Sequence, residues 1–185
     1  KKLDVDMLSA SAHKFNGPKG IGFLYVRKGT PIHALMDGGA QEDNKRAGTE
    51  NFAAIVGMAT ALKKNCACID TTSAKLLVLE EALLSRLHSK GVPFIRNGGA
   101  DTVPGNISLS FLRESGEMLL HRLDLMGICV STGSACDSHN TQVSHVLNAI
   151  QLADEYARGT IRVSLSKDND LDEALAIADA IAKIL

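Results

Sequence analysis

The chain has 185 residues, 45% of them apolar, with 20 Lys and Arg against 21 Asp and Glu. That is enough to bury a core of one or two domains, and the near-balanced charge leaves neither a nucleic-acid nor an anionic-membrane footprint. No apolar run approaches the ~20 residues that span a bilayer, and four cysteines without framework spacing suit a reducing, cytoplasmic setting. The opening Lys1-Lys2-Leu3-Asp4-Val5-Asp6 has neither an initiator Met nor a signal-peptide apolar region, so the chain reads as starting inside a longer protein.

In chain order, residues 5–9 read as a short strand and residues 21–26, rich in β-branched and aromatic side chains, as the next. Gly17-Pro18-Lys19-Gly20 between them forces a turn. Residues 37–48 are polar and glycine-rich and read as a loop, after which Thr49 opens an apolar helix over residues 52–64. A long amphipathic helix is predicted over 73–90, with Leu76, Leu79, Leu83 and Leu87 forming one buried stripe and Gly91 and Pro93 ending it. Beyond it, strands are predicted at 94–96, 107–111, 128–130 and 160–165, and helices at 117–126, 143–150 and 171–185. Asp170 and Glu173 have the spacing of a capping box for the last helix. Residues 72–185 therefore read as a small C-terminal α+β domain, and residues 1–71 as the end of a larger α/β domain.

Two residues stand in settings suited to chemistry. Lys14 lies in Ser11-Ala12-His13-Lys14-Phe15-Asn16-Gly17-Pro18-Lys19-Gly20. A strand-to-turn junction of this kind offers a rigid backbone from which a lysine can reach a cofactor aldehyde, and Ser11 and His13 flank it as hydrogen-bond donors for a phosphate. A lone lysine in a turn is ordinarily a surface side chain; the whole string is what sets this one apart. Cys136 ends Ser131-Thr132-Gly133-Ser134-Ala135-Cys136 and precedes the polar run Asp137-Ser138-His139-Asn140-Thr141-Gln142. That is an accessible loop setting for a nucleophilic thiolate, whereas an isolated cysteine is more often a small buried hydrophobe.

These strings resemble the cofactor-lysine and active-cysteine motifs of the cysteine desulfurases, group I, within the class V aminotransferases and the fold-type I enzymes that use pyridoxal 5′-phosphate (PLP). Arg46-Ala47-Gly48-Thr49-Glu50-Asn51 resembles a third segment, and Ser144-His145-Val146-Leu147 resembles the stretch after the cysteine loop. The resemblance covers nearly the whole chain. It implies an α/β chain made of the end of a PLP-binding large domain followed by a smaller α+β domain that carries the cysteine loop. Lys14 and Cys136 are then catalytic, Lys14, Ser11, His13 and Thr49 hold the cofactor, and Thr49 serves the partner subunit of a homodimer. Arg162, in the apolar strand 160–165, takes the substrate carboxylate. From the residues alone it is open to an exposed face or a structural ion pair, because a cation buried without a partner is costly.

The implied reaction converts L-cysteine to L-alanine and leaves a persulfide on Cys136, destined for an iron–sulfur scaffold or another sulfur acceptor. In this family the groups that stack on and pair with the cofactor ring lie upstream of Lys14, so the chain reads as a fragment inactive by itself. The sequence departs from the family pattern at Asp137 and His139, and an acid beside the thiol disfavours its thiolate. A selenocysteine lyase and a non-catalytic partner-docking domain are the alternatives. Cys66-Ala67-Cys68 falls short of the about four ligands of a structural zinc site, so no metal site is expected and these read as incidental helix-end cysteines. Cys129 reads as core, and His145 as a structural anchor for the cysteine loop.

Overall fold

The computed structural model describes residues 3–99, 101–132 and 143–185, and the chain divides into two compact units between Ile69 and Asp70. Cys136, Asp137 and His139 lie outside the described residues.

In the first unit, β1 (Met7–Ser11) and β2 (Gly22–Val26) form an antiparallel pair with Met7 opposite Val26 and Ser11 opposite Gly22. A single 3₁₀ turn, Ala12–Phe15, follows β1, and Asn16 closes it in the left-handed region at φ 63°. The residues expected to form a loop before Gly48 hold one short turn instead, α1 (Gln41–Asn44), with Glu42, Asp43 and Asn44 at φ 50–60°. Such backbone is unfavourable for L-residues. Here the turn is bridged by Gln41 Oε1, which accepts from Gly48 N at 3.1 Å. The helix expected over 52–64 is α2 (Phe52–Ala67), and its N-cap is Asn51, whose side chain accepts from Ala54 N. Thr49 therefore stands two residues before the cap and does not open the helix. Ala12 is the one fully buried residue of this unit among the described residues, while Leu24, Tyr25, Phe52 and Val56 remain exposed.

The second unit begins within α3 (Ile69–Ser89) and contains a three-stranded antiparallel sheet in the order β3 (Ile95–Arg96), β4 (Asn106–Ser110), β5 (Thr160–Ser164). Its helices are α4 (Gly116–Asp124), α5 (His145–Ala149), α6 (Asp154–Ala157) and α7 (Leu171–Ile184). The predicted leucine stripe is real: Leu83 and Leu87 join Ile107, Leu109, Leu119, Leu123, Ile161, Val163 and Ile181 in one buried cluster. The sheet thus has one face against α3, α4 and α7. The capping box of α7 is also formed, Glu173 N donating to Asp170 Oδ1 at 2.9 Å and Asp170 N to Glu173 Oε2 at 3.1 Å.

Two expectations are corrected. No strand forms at 128–130: the backbone of Ile128 is taken by the end of α4, its N–H donating to Leu123 O at 2.9 Å after the left-handed Gly127. Ladder pairing starts only at Ser131, which bridges Arg162. Cys129 is exposed rather than core, because Ile128 and Val130 on either side of it are the residues that pack on the cluster. In α5, Leu147 is buried and His145 is exposed. The short helix α6 was not anticipated.

Two ion pairs tie α3 to its neighbours. Arg96 donates through Nε and Nη2 to Glu80 Oε1 at 3.0 and 2.6 Å, and Glu80 is 6% exposed. Removing one partner of a buried pair strands the other, so Arg96→Met is expected to cost about 3–5 kcal/mol in urea unfolding, and Glu80→Met in the same chain to recover most of that loss. On the surface, Arg86 Nε and Nη2 reach Asp179 at 2.8 and 2.9 Å, with Lys90 Nζ at 3.4 Å. The hydrogen bond from Arg86, with Lys90 adding to it, holds the Asp179 carboxyl below its usual range against a smaller opposing effect of desolvation. A depressed carboxylate stabilises the fold above its unfolded value of about 3.9 and loses that contribution as pH falls through the folded value. The stability difference between the parent and Asp179→Asn is expected to be constant near neutrality and to shrink below about pH 3.9, as thermal unfolding across pH would register.

Candidate active site

The Lys14 segment owes its shape to short-range packing. Ala12 N donates to Ile21 O at 3.0 Å and Gly17 N to Ala12 O at 2.8 Å, which closes the turn on itself. Gly17 is required by close approach, since a Cβ there would stand 2.8 Å from the Ala12 Cβ. Ser11 ends β1, and His13 and Lys14 lie on the 3₁₀ turn, so chain continuity gathers the three. All three side chains are exposed and make no hydrogen bond or ion pair among the described residues. Thr49 is exposed and likewise without a partner among them.

A hydroxyl, an imidazole and an amine on one short segment suit a phosphate and an aldehyde together, and no carboxylate side chain lies within residues 7–26 to compete for them. The residues present therefore fit a phosphorylated aldehyde such as PLP.

The second unit holds the other candidate. Along β5, Ile161 and Val163 are buried in the core while Thr160, Arg162 and Ser164 alternate onto the opposite face. Opposite them on β4 stand Ser110, Ser108 and Asn106, so this face is polar throughout. Arg162 is half-buried there. Its backbone pairs with Ser108 on one side and exchanges two hydrogen bonds with Ser131 on the other, at 3.1 and 2.6 Å. Its guanidinium has no hydrogen-bond or ion-pair partner among the described residues.

A hydrogen-bond relay that the sequence does not announce runs across this face. Asn97 Nδ2 donates to Ser108 Oγ at 3.0 Å and to Ser110 Oγ at 2.7 Å. The Ser110 and Thr160 hydroxyls lie 2.6 Å apart, and Thr160 Oγ1 donates to Tyr156 O at 3.2 Å, so Ser110 is the donor to Thr160. Asn97, Ser110 and Thr160 are all buried, and the relay satisfies them without introducing a charge. The one signal in the sequence is the polar–apolar alternation of residues 160–164.

The remaining sequence candidates are dispersed. Cys66 is exposed, and Cys68 Sγ donates to the carbonyls of Lys64 and Asn65 at its helix end. Cys129 Sγ lies 3.9 Å from Asp124 Oδ1. Among the described residues no three His, Cys, Asp or Glu side chains are placed to hold a metal ion, and no single helix is long and apolar enough to cross a membrane.

Comparison with known proteins gives a consistent picture. The family model for aminotransferase class-V matches residues 1–177. The chain is 44% identical to the cysteine desulfurase IscS of Dictyoglomus turgidum, over 100% of this chain and 48% of that protein. It is 40% identical to the cysteine desulfurase IscS of Methanosarcina thermophila, over 100% of this chain and 46% of that one. Among solved structures, a NifS-like protein superposes with a TM-score of 0.86 at 37% identity, covering 99% of this chain and 47% of the other. A NifS-like protein from Rickettsia africae superposes with a TM-score of 0.84 at 29% identity, over 97% and 47%. The chain spans about half the length of the curated relatives it matches. With its mixed α/β architecture and a family match over most of its length, this chain belongs to the aminotransferase class-V family.

Proposed function

We propose that the whole protein is a PLP-dependent cysteine desulfurase, and that residues 1–71 and 72–185 are, respectively, the end of its cofactor-binding domain and its small C-terminal domain. The observation that carries the reading is the setting of Arg162. Arg162 places a half-buried guanidinium, without a hydrogen-bond or ion-pair partner among the described residues, on a face of neutral hydroxyls; its backbone is bridged to Ser131, and Cys136 follows Ser131 by five residues in the sequence. A cation suited to a carboxylate and a thiol suited to nucleophilic attack, the thiol five residues in sequence beyond the backbone partner of the cation, match the two ends of a cysteine substrate. Two curated relatives named cysteine desulfurase, at 44% and 40% identity, support the same reading.

Lys14 is the residue to which the cofactor attaches, with Ser11 and His13 on its phosphate and Thr49 on that of a second copy, which makes the assembly a homodimer. When bound, PLP supplies an aldehyde that takes up the substrate amine and a sink for the electrons released at the α-carbon. Arg162 holds the substrate carboxylate in a bidentate pair and so fixes the orientation of the bound amino acid. Lys14 Nζ moves the α-proton. Cys136, as thiolate, attacks the substrate sulfur: a sulfur–sulfur bond forms, the carbon–sulfur bond breaks, and its electron pair goes to the β-carbon, which is then protonated. L-Cysteine and the Cys136 thiol give L-alanine and a Cys136 persulfide with no external oxidant. The persulfide is then passed to an iron–sulfur scaffold or another acceptor.

Mass spectrometry of the whole protein after incubation with PLP and L-cysteine is expected to find one added sulfur on Cys136 and free alanine in solution. Cofactor on Lys14 with no added sulfur at Cys136 would move the reading to another lyase or a transaminase. Arg162→Gln is expected to raise KM for L-cysteine about 10- to 150-fold, the range for a charge-assisted hydrogen bond, with kcat changed far less. An unchanged KM with a lowered Tm would make Arg162 structural.

A further inference from the structure

The Lys14 turn is gripped by α2 through two contacts that no reaction step requires. Asn65, near the end of α2, donates Nδ2 to Phe15 O at 2.7 Å and to Ala61 O at 2.9 Å. Ala61 O lies within the same helix; Phe15 O lies 50 residues away, on the residue that follows Lys14. The second contact is Gly57, where a Cβ would stand 2.7 Å from Pro18 Cγ, so the absence of a side chain lets the helix lie against the proline ring. Residues 57 and 65 are about two helical turns apart and face the same side of α2. Helix and turn are thus joined at both positions.

We propose that Asn65 is a positioning residue for Lys14, with Gly57 completing the grip. A lone 3₁₀ turn has poor hydrogen-bond geometry, and this one ends on a left-handed asparagine, an unfavourable backbone state that persists only when its surroundings hold it. The Ala12–Gly17 and Ala12–Ile21 hydrogen bonds close the turn locally, but neither reaches beyond the β1–β2 hairpin. Asn65 ties the turn to a 16-residue helix. Lysine's long, flexible stem amplifies any drift of its Cα, and misplacement by about 1 Å is enough to cost a reaction orders of magnitude. The proposal rests on the reading of Lys14 as the cofactor lysine.

The test uses the whole protein with Asn65→Asp, which keeps the shape of the side chain and removes the donor, and Gly57→Ala, which raises helix propensity while intruding on Pro18. Two quantities are read: hydrogen exchange of the peptide spanning residues 11–18 in cofactor-free protein, and the pH midpoint of the visible absorbance of PLP bound at Lys14. Asn65→Asp is expected to speed exchange in residues 11–18 about tenfold, the change for one lost hydrogen bond, to leave residues 106–110 unaltered, and to shift the absorbance midpoint. Gly57→Ala is expected to shift both readings in the same direction despite the better helix former. Unchanged exchange in residues 11–18, or an unmoved midpoint with a lowered Tm, would overturn the proposal and leave Asn65 as a helix-end residue. Borohydride reduction and peptide mapping keep the two failures apart: cofactor trapped on another lysine would overturn the reading of Lys14 together with this proposal, whereas cofactor trapped on Lys14 with unmoved readings would overturn this proposal alone.

Discussion

A strand of period two that carries Ile161 and Val163 into a core must present Thr160, Arg162 and Ser164 on its other face. Much of the second unit follows from that constraint. The buried face collects leucines and isoleucines from α3, α4 and α7. The opposite face then has to satisfy polar groups partly withdrawn from water, and among the described residues it does so with small hydroxyls and the Asn97 carboxamide rather than with acids. An acid beside Arg162 would neutralise it. Neutral hydroxyls leave its charge available to an anion while meeting their own hydrogen-bonding needs.

The first unit depends on a different economy of contacts. It has almost no apolar core of its own, and a two-stranded pair is marginal in isolation. What order it has around Lys14 comes from backbone closure: Ala12 buried beneath the turn, Gly17 packed against it, and the hydrogen bonds of Ala12 and Gly17. α2 adds a long, regular support, held at its start by Asn51 and tied to the turn through Asn65. The placement of the Lys14 backbone therefore depends on several weak contacts acting on one short segment.

The pattern of the chain made most elements legible. The leucine stripe of α3, the capping box of α7 and the alternation of β5 each express a local rule, heptad-like burial, reciprocal capping or pleat, that tertiary context had no reason to override. The misses came where two local rules competed. Residues 128–130 carry β-branched side chains, yet their backbone is first claimed by the end of α4, so the ladder begins three residues after Ile128, at Ser131. Cys129 followed the error outward. Thr49 has the chemistry of a cap, but Asn51, nearer the helix, holds that place.

Sequence by itself singled out the candidate groups, the lysine string, Cys136 and an arginine inside an apolar strand, because these are statements about residue type and local spacing. Only the tertiary structure decided what surrounds them. It left Arg162 without a counter-ion among the described residues, bridged Ser131 to its backbone, and set Asn65 on the carbonyl next to Lys14 across 50 residues of chain. The physical reason is separation along the chain. Periodicity and capping act over a few residues and can be read in order, whereas a hydrogen bond between distant residues depends on where whole elements come to rest.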